Sequence, residues 1–374
     1  MSSKVYACSM RASIKENMLK KLRRLIGHLD LDQGIRKKDL VAIKLHFGER
    51  GNTAFIRPIY VRQIVDSVTE LGAWPFITDA NTLYVGTRAN SVSHLKTAIE
   101  NGFAYAVVGA PLSIADGLKG TSAVGVPLDM EHIKTAYIAA DVVEADALIS
   151  LAHFKLHELS GFGGAIKNLG MGCASRRGKL AQHSDISPKV RAKKCIACGD
   201  CVEHCAQSAI SIVQQDDREQ AFINPEKCVG CGECILVCQQ GAIQVQYNTL
   251  PVFMKKMVEY TAAVLQNKKN KAFFINFLTS ITPACDCYPH SDAPLVRDIG
   301  ILASKDPVAI DQASADLVIK EPALTGTCLT ACTGPGEDKF RGVYQNVDWE
   351  IQLDYGEKIG LGTRKYDLEW LKEV

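Results

Sequence analysis

Eight of the chain's 14 cysteines, at positions 195, 198, 201, 205, 228, 231, 234 and 238, fall within 44 residues, while the other 330 residues hold six. Thiols concentrated in this way are ligands of a soft metal centre, whereas disulfides that staple a secreted scaffold are spread along the chain. The spacing is regular. Cys195-x2-Cys198-x2-Cys201-x3-Cys205 returns 33 residues later as Cys228-x2-Cys231-x2-Cys234-x3-Cys238, and Ala209-Ile210 returns at the same offset as Ala242-Ile243. A supersecondary unit has been duplicated. A 4Fe–4S cube needs four thiolates: a tight Cys-x2-Cys-x2-Cys turn can place three, with its backbone N–H groups facing the sulfides, and the fourth comes from elsewhere. Paired zinc sites are the competing reading, but two four-cysteine runs of identical spacing exceed what zinc requires. Reduced thiols in this number imply a reducing cytoplasm.

The block closely resembles two-cluster bacterial ferredoxins, in which the fourth cysteine of each run ligates the other cluster. That resemblance implies two 4Fe–4S clusters, one on Cys195, Cys198, Cys201 and Cys238 and the other on Cys228, Cys231, Cys234 and Cys205. The proline that commonly follows the fourth cysteine is replaced by Ala206 and Gln239. Without it φ is less fixed and a backbone N–H is free to hydrogen-bond nearby. The basic stretch Pro188-Lys-Val-Arg-Ala-Lys-Lys194 precedes the block and Tyr247-Asn-Thr-Leu-Pro251 follows it. Residues 188–247 therefore read as a small α+β module inserted between two parts of a host domain, residues 1–187 and 248–374.

The host must supply whatever site the clusters serve. Short β-rich runs at residues 5–7, 40–45, 75–78, 147–151, 272–277 and 298–303 alternate with helical patterns at 14–29, 58–71, 91–101, 252–266 and 307–320. Such alternation predicts an α/β layer fold with a largely parallel sheet. In such sheets ligands gather at the carboxyl ends of the strands, and there the sequence places Lys44, His46 and Glu49; Asp79 and Asn81, with Tyr84 and Arg88 beyond; and His153, Lys155, His157 and Glu158. One shared pocket of acid/base and charged groups is expected from them. The run Gly161-Phe-Gly-Gly164-Ala-Ile-Lys167-Asn168 reads as a glycine turn opening a helix, where Gly161, Gly163, Gly164 and Lys167 would bind a phosphate or carboxylate. It lacks the spacing of a dinucleotide fingerprint, so NAD is not expected.

Lys plus Arg number 43 against 41 Asp plus Glu. A balance so near zero gives no footprint for nucleic acid or an anionic membrane, and neither partner is expected. No apolar stretch approaches the length of a bilayer span, and the N-terminal charges at Lys4 and Arg11 argue against a secretory leader.

The runs Lys44-Leu-His-Phe-Gly-Glu49, Asp79-Ala-Asn-Thr-Leu-Tyr84, His153 to Ser175, Cys285-Asp-Cys287 and Asp298 to Asp311 resemble the domain-of-unknown-function 362 family across nearly the whole chain. That resemblance implies the architecture and cluster binding, since members often carry a ferredoxin module. It supplies no reaction. A fainter likeness, confined to His157, Lys167 and His183 with Gly163-Gly164 and Ala174-Ser175 between them, is to the nickel-pincer lactate racemase family. It implies His157 as an acid/base group, Lys167 as the anchor of a nickel-pincer-like cofactor and His183 as a metal ligand, with His94 a weak candidate for a second acid/base histidine. The racemases have no inserted ferredoxin.

Of the remaining cysteines, Cys8 reads as a small buried residue. Cys285-x-Cys287, flanking Asp286, is a soft chelating pair, and with Cys173 or His183 it forms a candidate further metal site, against ordinary buried or redox-labile thiols. Cys328 and Cys332 carry no assignment. Three functions compete. In the first, an iron–sulfur oxidoreductase, catalytic candidates His157, Lys167, His153, Lys44 and Asp79 act on a small-molecule substrate. In the second, the chain is a ferredoxin-like carrier that docks on a redox partner protein; in the third, a redox-neutral hydroxy-acid racemase or epimerase. A wire of two clusters is useful only where electrons enter or leave at a host site, and the polar strand ends favour the first over the second; nothing in the sequence decides between the first and the third. The module is accordingly expected to pack over the Gly161 to Ser175 loop.

Overall fold

The computed structural model describes residues 2–184, 187–215, 217–246 and 248–373. Its backbone is an eight-stranded sheet in the order Tyr366–Trp370, Ser3–Ser9, Gly300–Ser304, Ala272–Leu278, Ala147–His153, Leu40–Lys44, Trp74–Asp79, Leu112–Ile114. Every neighbouring pair is parallel except those of Gly300–Ser304, which runs antiparallel to both Ser3–Ser9 and Ala272–Leu278. The expected mostly parallel α/β sheet is present. The strand at 300–304 was legible, but its direction was not, because an apolar run buried on both faces reads the same either way.

Alternate residues of the strands point to opposite faces, and each set enters a different core. Val41, Ile43, Ile149, Leu151, Ile275 and Ile301 meet Leu22, Leu25, Val61, Ile64 and Val68, from the helices Met18–Gly27 and Pro58–Glu70. Ala42, Leu148, Phe274 and Leu302 meet Ile166, Leu169, Met257, Val258, Ile310 and Ala313, from Ala165–Gly170, Leu250–Leu265 and Pro307–Lys320. Helices on both faces explain why Ala147–His153 is buried at all seven positions. The first helix is shorter than its pattern: Asn17 caps it, accepting from Lys20 N, and Ile14 lies wholly exposed. Residues 112–114, 366–370 and the hairpin of Ala123–Pro127 with Thr135–Ala139 carried no strand expectation.

Sheet strands lie on both sides of residues 188–247 in the chain, and none of that segment's described residues joins the sheet. It forms two ribbons, Lys189–Val190 with Ile243–Gln244 and Ile210–Gln215 with Arg218–Ile223. They enclose a third core of Ile210, Ala221, Ile223, Ile235, Ile243 and two cysteines, completed by Leu83 and Leu180 from outside the segment. Tyr247 and residues 185–186, at the expected edges, lie outside the described residues.

Candidate functional site

The carboxyl ends of the parallel strands open on a cavity of about 440 Å3. Lys44 and Asp79 end adjacent strands and pair at 3.2 Å; Lys44 Nζ also donates to Asn168 Oδ1 at 2.8 Å. Arg88 Nε donates to Glu49 Oε2 at 3.1 Å and its Nη1 lies 3.8 Å from Asp79. Burial pushes the Asp79 carboxyl up, but Lys44, His46, His94 and Arg88 together outweigh that and hold it well below the usual carboxylate range. His94 itself stays outside the cavity, fully buried behind Asp79 at 3.8 Å.

His157 sits on the short strand Lys155–His157, which pairs with Gly161–Gly163. Its Nδ1 accepts from Leu159 N at 3.1 Å. Burial, reinforced by Lys167 and Lys155, keeps the ring neutral, so the proton is on Nε2, 3.7 Å from Glu158. His46 has the same arrangement: Nδ1 accepts from Gly48 N at 2.9 Å and burial keeps the ring neutral. Both rings line the cavity. His183 ends the helix Arg176–His183, stacks on Phe253 with ring centroids 4.8 Å apart, and is pushed down to about 3 by burial and by Lys167. Lys179, four residues earlier and hence on the same helix face, lines the cavity too, and burial lowers its pKa to about 8 against Asp116 and Asp79. It was missed in the sequence, although its i,i+4 relation to His183 was available.

The expected anion site at the glycine turn is already filled. The carboxylate of Asp311 accepts from Ala165 N at 2.7 Å and Ile166 N at 2.9 Å, and a Cβ on Gly164 would fall 2.2 Å from Asp311 Oδ1. Gly163 and Gly164 do line the cavity, but the amides behind them have an internal acceptor. Gly161 lies elsewhere, at φ +76° against Trp349. Lys167 reaches the cavity, and its Nζ lies 3.7 Å from Cys285 Sγ.

Two further expected residues lie outside the cavity. His153 sits behind it, with Nδ1 2.9 Å from Asp286 Oδ1 and Nε2 2.8 Å from Thr279 O. Asp286 also takes Lys155 Nζ at 3.1 Å, and its charge survives complete burial through these two partners. Cys173 belongs to the hydrophobic core, where burial pushes its thiol up to about 11. Cys285, Cys287 and His183 line the cavity, but among the described residues no group of three or more His, Cys, Asp or Glu side chains is placed to hold a metal ion. The three-ligand site with Cys173 is not formed. The neighbouring Cys287 and the Lys167 ammonium hold the Cys285 thiol well below its ordinary value, and Cys285 together with burial pushes the Cys287 thiol well above it. Cys287 reaches solvent at the cavity mouth although protein surrounds it on most sides, and Cys285 is sealed.

The eight cysteines of the duplicated segment line two small cavities in sets of four. Cys195, Cys198, Cys201 and Cys238 line one, and Cys205, Cys228, Cys231 and Cys234 the other. The backbone repeats with the sequence: φ is positive at Ala197 and Gly230, at Gly199 and Gly232, and at Ser208 and Gly241. Such turns aim consecutive N–H groups inward. Ala209 N donates to Cys205 Sγ and Ala242 N to Cys238 Sγ, both at 3.2 Å, and Ala221 N to Cys195 Sγ at 3.4 Å. Burial raises the Cys201 thiol to about 11, with Cys238, Cys195 and Cys198 adding to the shift; Cys234 is raised in the same way by burial and then Cys231 and Cys228. Each cavity thus gathers four thiol donors, the number that a 4Fe–4S cube would take.

The second cysteine turn packs against residues outside the segment. Gly232 lies against Leu83, Gly230 faces Leu180, and the buried Arg176 guanidinium pairs with Glu233. Leu83 also lines the 440 Å3 cavity. The contact surface is the Arg176–His183 helix and the loop after Trp74–Asp79, next to the expected 161–175 loop.

Fold and site together define an α/β protein with a polar cavity at its strand ends and a cysteine-rich appendage packed beside it. Residues 41–316 match the family described as Domain of unknown function (DUF362), and the chain belongs to that family. It is similar to a solved structure described as the lactate racemase apoprotein from Thermoanaerobacterium thermosaccharolyticum, at 15% identity and a TM-score of 0.38 over 73% of this chain. The chain spans half (50%) of that protein's length. No curated protein matches it. Among the described residues no helix is long and apolar enough to cross a membrane.

Proposed function

We propose that this chain is an iron–sulfur oxidoreductase in which residues 188–247 are a ferredoxin-like module with two 4Fe–4S clusters, exchanging electrons with a small anionic substrate in the strand-end cavity. The observation that carries the reading is that one leucine, Leu83, packs against the second cysteine turn and lines the cavity. The clusters, when bound, supply one-electron transfer. The chain supplies the rest. Lys155, Lys167 and Lys179 face the cavity with Arg88 and Lys44; Arg88, Lys44 and Lys155 are matched by Glu49, Asp79 and Asp286. The Lys167 and Lys179 ammonium groups favour a carboxylate, and the Nε2–H groups of His46 and His157 can donate to a substrate oxygen. Leu83, Tyr84, Val85 and Phe253 give the cavity wall an apolar stretch.

The test is a panel of 2-oxo carboxylates added to the anaerobically reduced protein, with cluster oxidation read by electron paramagnetic resonance, and of 2-hydroxy carboxylates added to the oxidised protein, with cluster reduction read in the same way. A carboxylate that reoxidises or reduces the clusters in the wild type but not in Lys167→Ala, with unchanged cluster signals, supports the reading. A panel without effect contradicts it and favours a carrier of electrons to an external partner. The redox-neutral alternative has its own support: His157, Lys167 and His183, the residues of the pincer likeness, line one cavity. A covalent mass increment on the Lys167 peptide would promote it.

A further inference from the structure

Cys285 and Cys287 belong to a turn closed by Tyr288 N donating to Cys285 O at 3.1 Å. The residue between them is locked: Asp286 O accepts from Glu49 N at 2.9 Å, and the Asp286 carboxylate holds His153 and Lys155. With its centre pinned, the turn places both cysteines in the wall of the one cavity. Lys167 Nζ stands 3.7 Å from Cys285 Sγ, beside the sealed sulfur, while Cys287 meets solvent at the mouth. Two soft ligands without a third make a poor metal site. A sealed sulfur beside an ammonium and an accessible partner thiol have the layout of a thiol–disulfide couple.

We propose that Cys285 and Cys287 are a redox-active dithiol in the cavity wall that cycles to an intrachain disulfide and exchanges two electrons with the iron–sulfur centres. Starting from the Cys285 thiolate and the Cys287 thiol, oxidation forms the Sγ–Sγ bond, releases the Cys287 proton and passes one electron to each of two oxidised clusters. Reduction breaks that bond, returns a proton to Cys287 and leaves a thiolate beside Lys167. The couple thus gathers two single electrons into the pair that most carbonyl or alcohol chemistry needs. This inference rests on the proposed cluster function, since the clusters are its oxidant and reductant. It assigns His153 a positioning role, through Asp286.

The full chain, purified anaerobically, is oxidised with diamide, freed of it, reduced by a photochemical one-electron donor and quenched with N-ethylmaleimide at each stage. Mass spectrometry of the tryptic peptide 272–297, whose only cysteines are these two, should show a peptide lighter by two hydrogens after oxidation and a doubly alkylated one once the clusters are reduced. Reductive titration should take up two electrons per chain more than Cys287→Ser, whose iron and sulfide contents should be unchanged. In a glutathione buffer, Lys167→Met should need about tenfold more reducing conditions for half-reduction, because the thiolate loses its counter-charge. A peptide that stays dithiol, or a disulfide that persists beside reduced clusters, overturns the dithiol. Iron and sulfide measured on the same sample separate the failures: normal content with an inert pair overturns the dithiol alone, whereas absent iron overturns the cluster function with it.

Discussion

Leu83 presses Cδ1 so closely on Gly232 that a Cβ on the glycine would fall 2.6 Å away, and the same leucine forms part of the cavity wall. A residue of the second cysteine turn and a residue of the candidate active site are therefore one contact apart. The adjoining Arg176–Glu233 pair fastens the same junction, and Arg176 Nη2 also donates to Ala89 O.

Arg176→Ala should loosen that junction without removing any cysteine. Leaving Glu233, one-fifth exposed, without its partner should cost about 2 kcal/mol, less than for a fully buried pair. Hydrogen exchange should rise at residues 176–183 and 228–237 while iron content holds. Unchanged exchange there would mean the ion pair does not hold the segment in place.

Cys201→Ala and Cys234→Ala should each lose a different cluster, because the two sulfurs line different cavities. The residual electron paramagnetic resonance spectra should therefore differ between the variants. Identical residual spectra would count against the assignment of Cys201 and Cys234 to separate clusters.

Anion affinity should fall as pH rises through about 8, where the Lys179 ammonium, already destabilised by burial, loses its proton. Below that pH the charge is present and attraction is complete; above it the amine is neutral. Calorimetric titration with lactate from pH 6.5 to 9.5 checks this, and Lys179→Met should bind weakly with the step near pH 8 gone. A step unchanged in Lys179→Met would assign it to another group.

Gly164→Ala should be severely destabilising, by more than about 3 kcal/mol, since the methyl would overlap the Asp311 carboxylate that caps the next helix. Asp311→Asn keeps one acceptor oxygen for the two amides and should cost less, about 1–2 kcal/mol. Thermal denaturation of both variants gives the order. Gly164→Ala as stable as the wild type would remove the cap from the account.

Lys44 and Asp79 were legible as site residues because they end strands that read clearly as apolar runs, and parallel sheets bring such ends together. His153 ends a strand as well, yet the chain turns just beyond it and the ring faces Asp286, a partner 133 residues away. The glycine turn misled for a similar reason. Its sequence shows a helix start with free amides, while the carboxylate that fills them comes from Asp311, 146 residues on. The duplicated cysteine spacing needed no long-range information, and its paired positive-φ turns follow the sequence repeat residue by residue. How the cysteine segment meets the rest depends on Leu83, Leu180 and Arg176, whose types and spacing mark nothing special until the chain is folded.

Iron and acid-labile sulfide measured on anaerobically purified protein test the central claim most directly. Two sets of four cysteines, each lining its own cavity, call for about eight iron and eight sulfide per chain. Zinc bound with negligible sulfide would contradict the account.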